Sequence, residues 1–107
     1  MILYHGTSYS NALNILKTGF DFEKSGSNWG NTYGKGIYFT PNYDTAKFYA
    51  SSNRINLSMN ININALYLEK DISPNSKKIK NIYKNINKNI NCIVSPNKDE
   101  YLILYFQ

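Results

Sequence analysis

A chain of 107 residues, 42% hydrophobic and 15% aromatic, has room for one domain, expected to span 1–107, with one modest core. No stretch approaches the ~20 consecutive apolar residues of a membrane-spanning helix. The single cysteine, Cys92, excludes an intramolecular disulfide, the single histidine, His5, leaves no histidine-based metal site, and the net charge of +5 favours anionic partners. No basic stretch followed by an apolar run opens the sequence, so a cytoplasmic location is expected, or host cytoplasm or nucleus for a viral protein.

Met1 to His5 predicts a short strand that delivers His5 and Gly6 at its exit. Ser10 or Asn11 suits the cap of a helix with Ala12, Leu13, Ile15 and Leu16 on its apolar face, and Gly19 suits its stop. From Asp21 to Lys35 the chain is polar, holds Gly26, Gly30 and Gly34, and predicts a long loop carrying Trp29 and Tyr33. Ile37 to Thr40 reads as the second strand. Pro41 ends it, and Asn42 or Asp44 caps a helix expected over Tyr43 to Ser51.

Alternation at Met59, Ile61, Ile63 and Ala65 predicts one strand with a wet face between Met59 and Glu69. Ile79, Ile82, Ile86 and Ile90 recur at helical spacing, with Lys77, Lys78, Lys80, Lys84 and Lys88 around them, so an amphipathic basic helix is expected there. Asn91 to Ser95 and Glu100 to Phe106 flank the turn Pro96-Asn97-Lys98-Asp99 and predict a hairpin. The fold class is therefore mixed α+β with a mostly antiparallel sheet.

Three islands carry the chemistry: Tyr4-His5-Gly6-Thr7, Gly34-Lys35-Gly36-Ile37-Tyr38-Phe39 and Asp99-Glu100-Tyr101-Leu102-Ile103. Each lies where a strand meets a loop. Together they offer one imidazole, a carboxylate at the root of an apolar strand, glycine backbone and tyrosine rings. That set suits a flat aromatic ligand joined to a sugar. Tyr38 and Tyr49 could sandwich such a ring, although a chain with 10 tyrosines also places them as ordinary core aromatics.

In order and local context these islands resemble the His-Tyr-Glu class of ADP-ribosyltransferases, which includes poly(ADP-ribose) polymerases and diphtheria-type toxins. The resemblance implies the ADP-ribosyltransferase fold, a split sheet with an NAD cleft between its halves, and NAD+ as substrate with no metal. It implies that Glu100 bonds the 2-hydroxyl of the nicotinamide ribose and stabilises the cation formed there. It assigns His5 to ribose binding, the Gly6 main chain to the carboxamide, Thr7 to ribose contact, and Tyr38 and Tyr49 to stacking on nicotinamide. Phe39 follows as part of the Tyr38 strand, and Trp29 becomes a cover for the adenine side.

One departure concerns the carboxamide. Polymerases of the class usually carry a serine three residues before the second tyrosine, and this chain has Ala46 there. The lysine-rich stretch between Lys70 and Lys88 stands where polymerases place an acceptor loop, so transfer of a single ADP-ribose is expected, to an acidic protein surface, a nucleic acid or the protein itself. Three other classes remain: a non-catalytic NAD or ADP-ribose reader, a basic single-strand-binding module with stacking aromatics, and NAD-dependent removal of an RNA phosphate. The last normally uses basic residues to grip the phosphate, and Arg54 is the only arginine.

Overall fold

A computed structural model describes residues 1–22, 36–49, 54–70, 81, 82, 84 and 89–106. The chain runs β1 (Ile2–Ser8), α1 (Tyr9–Thr18), β2 (Ile37–Phe39), α2 (Tyr43–Ala46), a 3-10 turn (Lys47–Tyr49), β3 (Arg54–Asn60), β4 (Ala65–Tyr67), β5 (Cys92–Val94) and β6 (Tyr101–Ile103). Two sheets result. β1 pairs antiparallel with β3, and a four-stranded sheet has the order β2-β6-β5-β4, antiparallel except for the β4–β5 pair. The sheets touch through one antiparallel bridge between Tyr4 and Thr40. This is the expected α+β fold with a split, mostly antiparallel sheet.

β1 is longer than its apolar run. His5 and Gly6 lie in mid-strand, opposite Leu57 and Asn56, rather than at a strand exit. β3 supplies a partner along the whole of β1, and its first residues, Arg54 to Ser58, carry no clear strand signal. The α1 cap moves with the longer strand: Ser8, not Ser10 or Asn11, accepts from the Asn11 N–H at 3.2 Å. Gly19 ends the helix at φ 84°, where only glycine sits without strain. The expected apolar face is not buried as a whole, since Ala12 is enclosed while Leu13 and Leu16 are 49% and 73% exposed. Ala12 is the side chain small enough to let α1 lie close against β1 and β3.

The expected second helix starts as predicted, with Asn42 Oδ1 accepting from Asp44 and Thr45 N–H groups at 2.9 and 3.3 Å. It is shorter, passing into a 3-10 turn after Ala46. Both pieces pack on β1.

The single strand expected over 59–69 is two strands in two different sheets. The alternation is nevertheless real: Ile61 is in the core, and Met59, Ile63 and Ala65 pack against it. The chain stays extended while it crosses between sheets, so the inward face persists after the hydrogen-bond partner has changed. Asn91 makes the crossing possible. Fully buried, it accepts from the Asn64 N–H at 2.8 Å and donates through Nδ2 to Asn62 O at 2.8 Å, replacing ladder bonds. An Asn91→Ala variant should therefore lose about 1–3 kcal/mol of stability, because it removes two hydrogen bonds made by a fully buried side chain. Urea unfolding measures this, and a loss under about 0.5 kcal/mol would show that Asn91 does not hold the crossing.

The parallel β4–β5 pair requires a crossover between the strands. Within it Asn81, Ile82 and Lys84 are helical, and Ile82 packs on Leu68, Ile93 and Leu102. The remainder of the expected basic helix, with Lys77, Lys78, Lys80 and Lys88, lies outside the described residues.

The terminal hairpin forms as predicted, with Val94 opposite Tyr101. Ser95 closes it twice: its N–H donates to Glu100 O at 2.9 Å and its Oγ accepts from the Glu100 N–H at 3.0 Å. One face of the four-stranded sheet carries Ile37, Phe39, Cys92, Val94, Tyr101 and Ile103 into the main core with Leu3. The opposite face carries Ile93 and Leu102, with Tyr38 packed against them. Burial pushes the Cys92 thiol up to about 12, so this cysteine is a core side chain and not a nucleophile.

Candidate active site

The site lies where β1 and β2 part. Tyr4 exchanges both backbone hydrogen bonds with Thr40, its N–H donating to Thr40 O at 2.8 Å and its C=O accepting from the Thr40 N–H at 2.9 Å. Residues two apart on a strand direct their backbone polar groups to the same edge. The N–H and C=O of Gly6 therefore point toward β2 and away from β3.

Continued pairing would set Gly6 against Tyr38. Instead the imidazole of His5 intervenes, its Nδ1 lying 2.8 Å from Tyr38 O. A carbonyl only accepts, so Nδ1 carries the proton and Nε2 of the neutral ring is left as an acceptor. This side-chain bond takes the place of a backbone one and holds the sheet open beside Gly6.

His5 is also fixed from its sides. Its ring meets Phe20 edge-on at 5.2 Å and Phe39 at a tilt at 5.4 Å, and Phe20 continues to Phe39 and Phe106. Phe39 is 1% exposed, so it reaches the site through the His5 ring and presents almost no surface of its own. Thr7 is buried on the same face of β1 as Leu3 and His5.

Burial lowers the pKa of His5 below its usual value, and the bond to Tyr38 O only partly opposes this. Above about pH 6.5 the ring is neutral folded or unfolded. As pH falls below that, the unfolded chain binds a proton that the folded one resists, and stability is lost. The urea midpoint should thus fall between pH 7 and pH 5, and less steeply in His5→Gln, which keeps a donor for Tyr38 O. Equal slopes in the two proteins would remove His5 as the cause.

Glu100 enters by register. Phe39 pairs with Tyr101, so Glu100 comes beside Thr40, the residue bridged to Tyr4 and thus next to His5. Strand alternation puts it on the sheet face that carries Leu102 and its partner Tyr38. The residue is half-buried. A second link ties this corner together, as Thr40 Oγ1 donates to the Asp99 carboxylate at 3.1 Å. Neither Thr40 nor Asp99 has a motif that announces this bond.

Gly6 is needed for a close approach on its other side. The Ala46 carbonyl of α2 lies against its Cα, and an added Cβ would overlap that oxygen. Beside it stands Asn56 Oδ1, a shielded acceptor with no hydrogen-bond partner, while Asn56 Nδ2 donates to Tyr43 O at 3.3 Å. Tyr43 in turn meets the Tyr4 ring edge-on at 5.5 Å. Sequence reading passed over Asn56, whose position opposite Gly6 follows only from the β1–β3 register.

His5, Gly6 and the Tyr38 backbone thus meet where β1 and β2 part, with the Glu100 backbone in register beside Thr40; the His5 ring packs with Phe39 on the core face, and Tyr38 and Glu100 lie on the opposite face. The backbone of Tyr49 belongs to the 3-10 turn packed on β1 and β3, and its side chain lies outside what is described. Trp29, Tyr33, Gly34 and Lys35 also fall outside the described residues. Among the described residues, no cluster of three or more His, Cys, Asp or Glu side chains could hold a metal ion, and no helix is long and apolar enough to cross a membrane.

No curated protein and no solved structure matches the chain significantly. The sequence model of the poly(ADP-ribose) polymerase catalytic domain matches residues 1–68, which takes in His5, Gly6 and Tyr38 and stops before the Glu100 hairpin. With well over half its length matched to that model, and a split sheet opened by His5, the chain belongs to the poly(ADP-ribose) polymerase catalytic-domain family of ADP-ribosyltransferases.

Proposed function

We propose that the protein cleaves the nicotinamide–ribose bond of NAD+, the family's substrate, and transfers a single ADP-ribose to an acceptor. The observation that supports this best is the opening between β1 and β2, where His5 displaces a ladder bond to Tyr38 O. The N–H and C=O of Gly6 lie side by side on the edge of β1 that faces β2, complementary to the C=O and N–H of a primary carboxamide. Nε2 of the neutral His5 ring accepts from a ribose hydroxyl. Tyr38 stacks on the nicotinamide ring, with Tyr49 on its other side.

The reaction then needs little more than charge and position. The bond between ribose C1 and the ring nitrogen breaks, and its electron pair leaves with neutral nicotinamide. Glu100 holds the 2-hydroxyl and lowers the energy of the cation at C1. The acceptor attacks C1 and gives up its proton. Tyr38 and Glu100 share a sheet face, which suits a ligand spanning ring and ribose. Thr7 supports the His5 strand face, and Trp29 is the residue assigned to the adenine side.

Single transfer is favoured because a lysine-rich segment stands in place of an acceptor loop. The same lysines favour an acidic protein surface or nucleic acid as acceptor. The test supplies NAD+ labelled in its adenylate half and follows released nicotinamide and the label together. Release with label on macromolecules in single units is the expected result. Chains of label would replace single transfer with polymerisation. Binding without release would make the protein a reader, and neither binding nor release would end the NAD reading.

A further inference from the structure

The backbone bonds of Glu100 fix it only within its own hairpin. Ser95 holds the Glu100 N–H and C=O, while Asn97 Oδ1 accepts from the Ser95 hydroxyl at 2.6 Å and from the Asp99 N–H at 3.0 Å. All of these partners belong to the turn itself. The β2–β6 ladder ends at the Phe39–Tyr101 pair, one residue short of Glu100. Thr40, next in the chain after β2, has both backbone groups taken up by Tyr4. Its hydroxyl makes the connection that its backbone cannot. Fully buried, Thr40 donates through Oγ1 to the Asp99 carboxylate at 3.1 Å and accepts there from the Asn42 N–H at 3.1 Å. One oxygen thus joins the β1–β2 corner, the approach to α2 and the hairpin. Strand alternation puts it on the sheet face of Tyr38 and Glu100.

We propose that Asp99 is a positioning residue for the reaction, holding the Glu100 end of the hairpin to Thr40 so that the carboxylate keeps one placement on the Tyr38 face. This rests on the NAD reading above. Asp99 touches no reacting atom and acts only by accepting a hydrogen bond from a buried hydroxyl. Without that bond the tip of the hairpin can shift while the ladder from Tyr101 to Ile103 stays paired. A shift near 1 Å in a group that must face a developing charge lowers the rate by about 100-fold. Asp99 is itself only partly buried, so its side chain can be changed at little cost to the fold. Rate, rather than affinity or stability, is what it controls.

The test measures kcat for nicotinamide release, NAD+ affinity by calorimetry and a thermal melt for each protein. Asp99→Ala should lower kcat by about 10- to 100-fold while affinity and melting temperature hold. Asp99→Asn loses the charge but keeps an oxygen that accepts from Thr40 Oγ1, and should restore most of the rate. In a Thr40→Val background, which lacks the donor, Asp99→Ala should have no further effect. Unchanged kcat in Asp99→Ala overturns the proposal. So does Asp99→Asn as slow as Asp99→Ala, because charge and not the bond would then matter. If rate, affinity and melting temperature fall together, Asp99 is a structural brace and the proposal fails. If the unsubstituted protein releases no nicotinamide, the NAD reading falls and this inference with it, whereas the other failures leave that reading standing. Should Thr40→Val not fold, the two Asp99 variants decide the matter alone.

Discussion

Glu100→Gln is expected to reduce nicotinamide release from NAD+ by about 100- to 1,000-fold while NAD+ still binds. The substitution keeps size and hydrogen-bonding capacity but removes the charge that would face the developing ribosyl cation. The fold should tolerate it well. Glu100 is half-buried, and what fixes its backbone is the pair of bonds with Ser95, neither of which involves its side chain. Initial-rate assays of nicotinamide release, with a binding titration of NAD+ on each protein, separate the two effects. Unchanged turnover would show that the carboxylate is not the charge that carries the reaction.

Gly6→Ala is expected to damage both stability and ligand binding. An added Cβ meets the Ala46 carbonyl, which is backbone and cannot swing aside. Either α2 lifts or β1 bends, at about 1–3 kcal/mol by comparison with overpacked cores. A domain of this size loses roughly 4–8 °C of melting temperature per kcal/mol. Ala46 leads directly into the Lys47–Tyr49 turn, so a lifted α2 also shifts the backbone of Tyr49, the residue proposed to stack on nicotinamide. Nicotinamide affinity should therefore fall further than stability alone predicts. A variant with the native melting temperature and affinity would show that α2 does not rest on Gly6.

The two variants divide the site by physical role. In the proposed reaction Glu100 acts through charge at the reacting bond, so its loss should spare the fold. Gly6 acts by having no side chain, so any replacement is felt first as a clash.

Local features of the sequence were enough for the elements set by local rules. Asn42 and Gly19 cap their helices because short polar and achiral residues satisfy helix ends wherever they occur. The Pro96-Asn97-Lys98-Asp99 turn dictates its hairpin, with Lys98 at φ 60° and Asp99 held by Asn97 Oδ1 at 3.0 Å. The alternation from Met59 to Ala65 identified the inward side chains correctly. Burial depends on which way a side chain points, and an extended chain keeps that period regardless of its neighbour.

Pairing is another matter, because hydrogen-bond partners lie far away in the chain. Nothing near Met59 says that the strand changes sheets at Asn62 to Asn64; Asn91 decides it. Nothing near Leu13 or Leu16 says that α1 buries only Ala12, since that depends on the surface presented by β1 and β3.

The candidate site divides along the same line. By itself, the sequence determined the residue types and their order: an imidazole beside a glycine, a tyrosine strand, and a carboxylate at the root of a hairpin, enough to show the family resemblance. Only the tertiary structure decided that the His5 ring displaces a backbone bond to Tyr38, that Gly6 carries α2 on one side and opens its polar edge on the other, and that Asn56 aims an unpartnered oxygen over it. Each of these joins residues from strands that meet only in the folded sheet, and a linear pattern holds no record of register between strands.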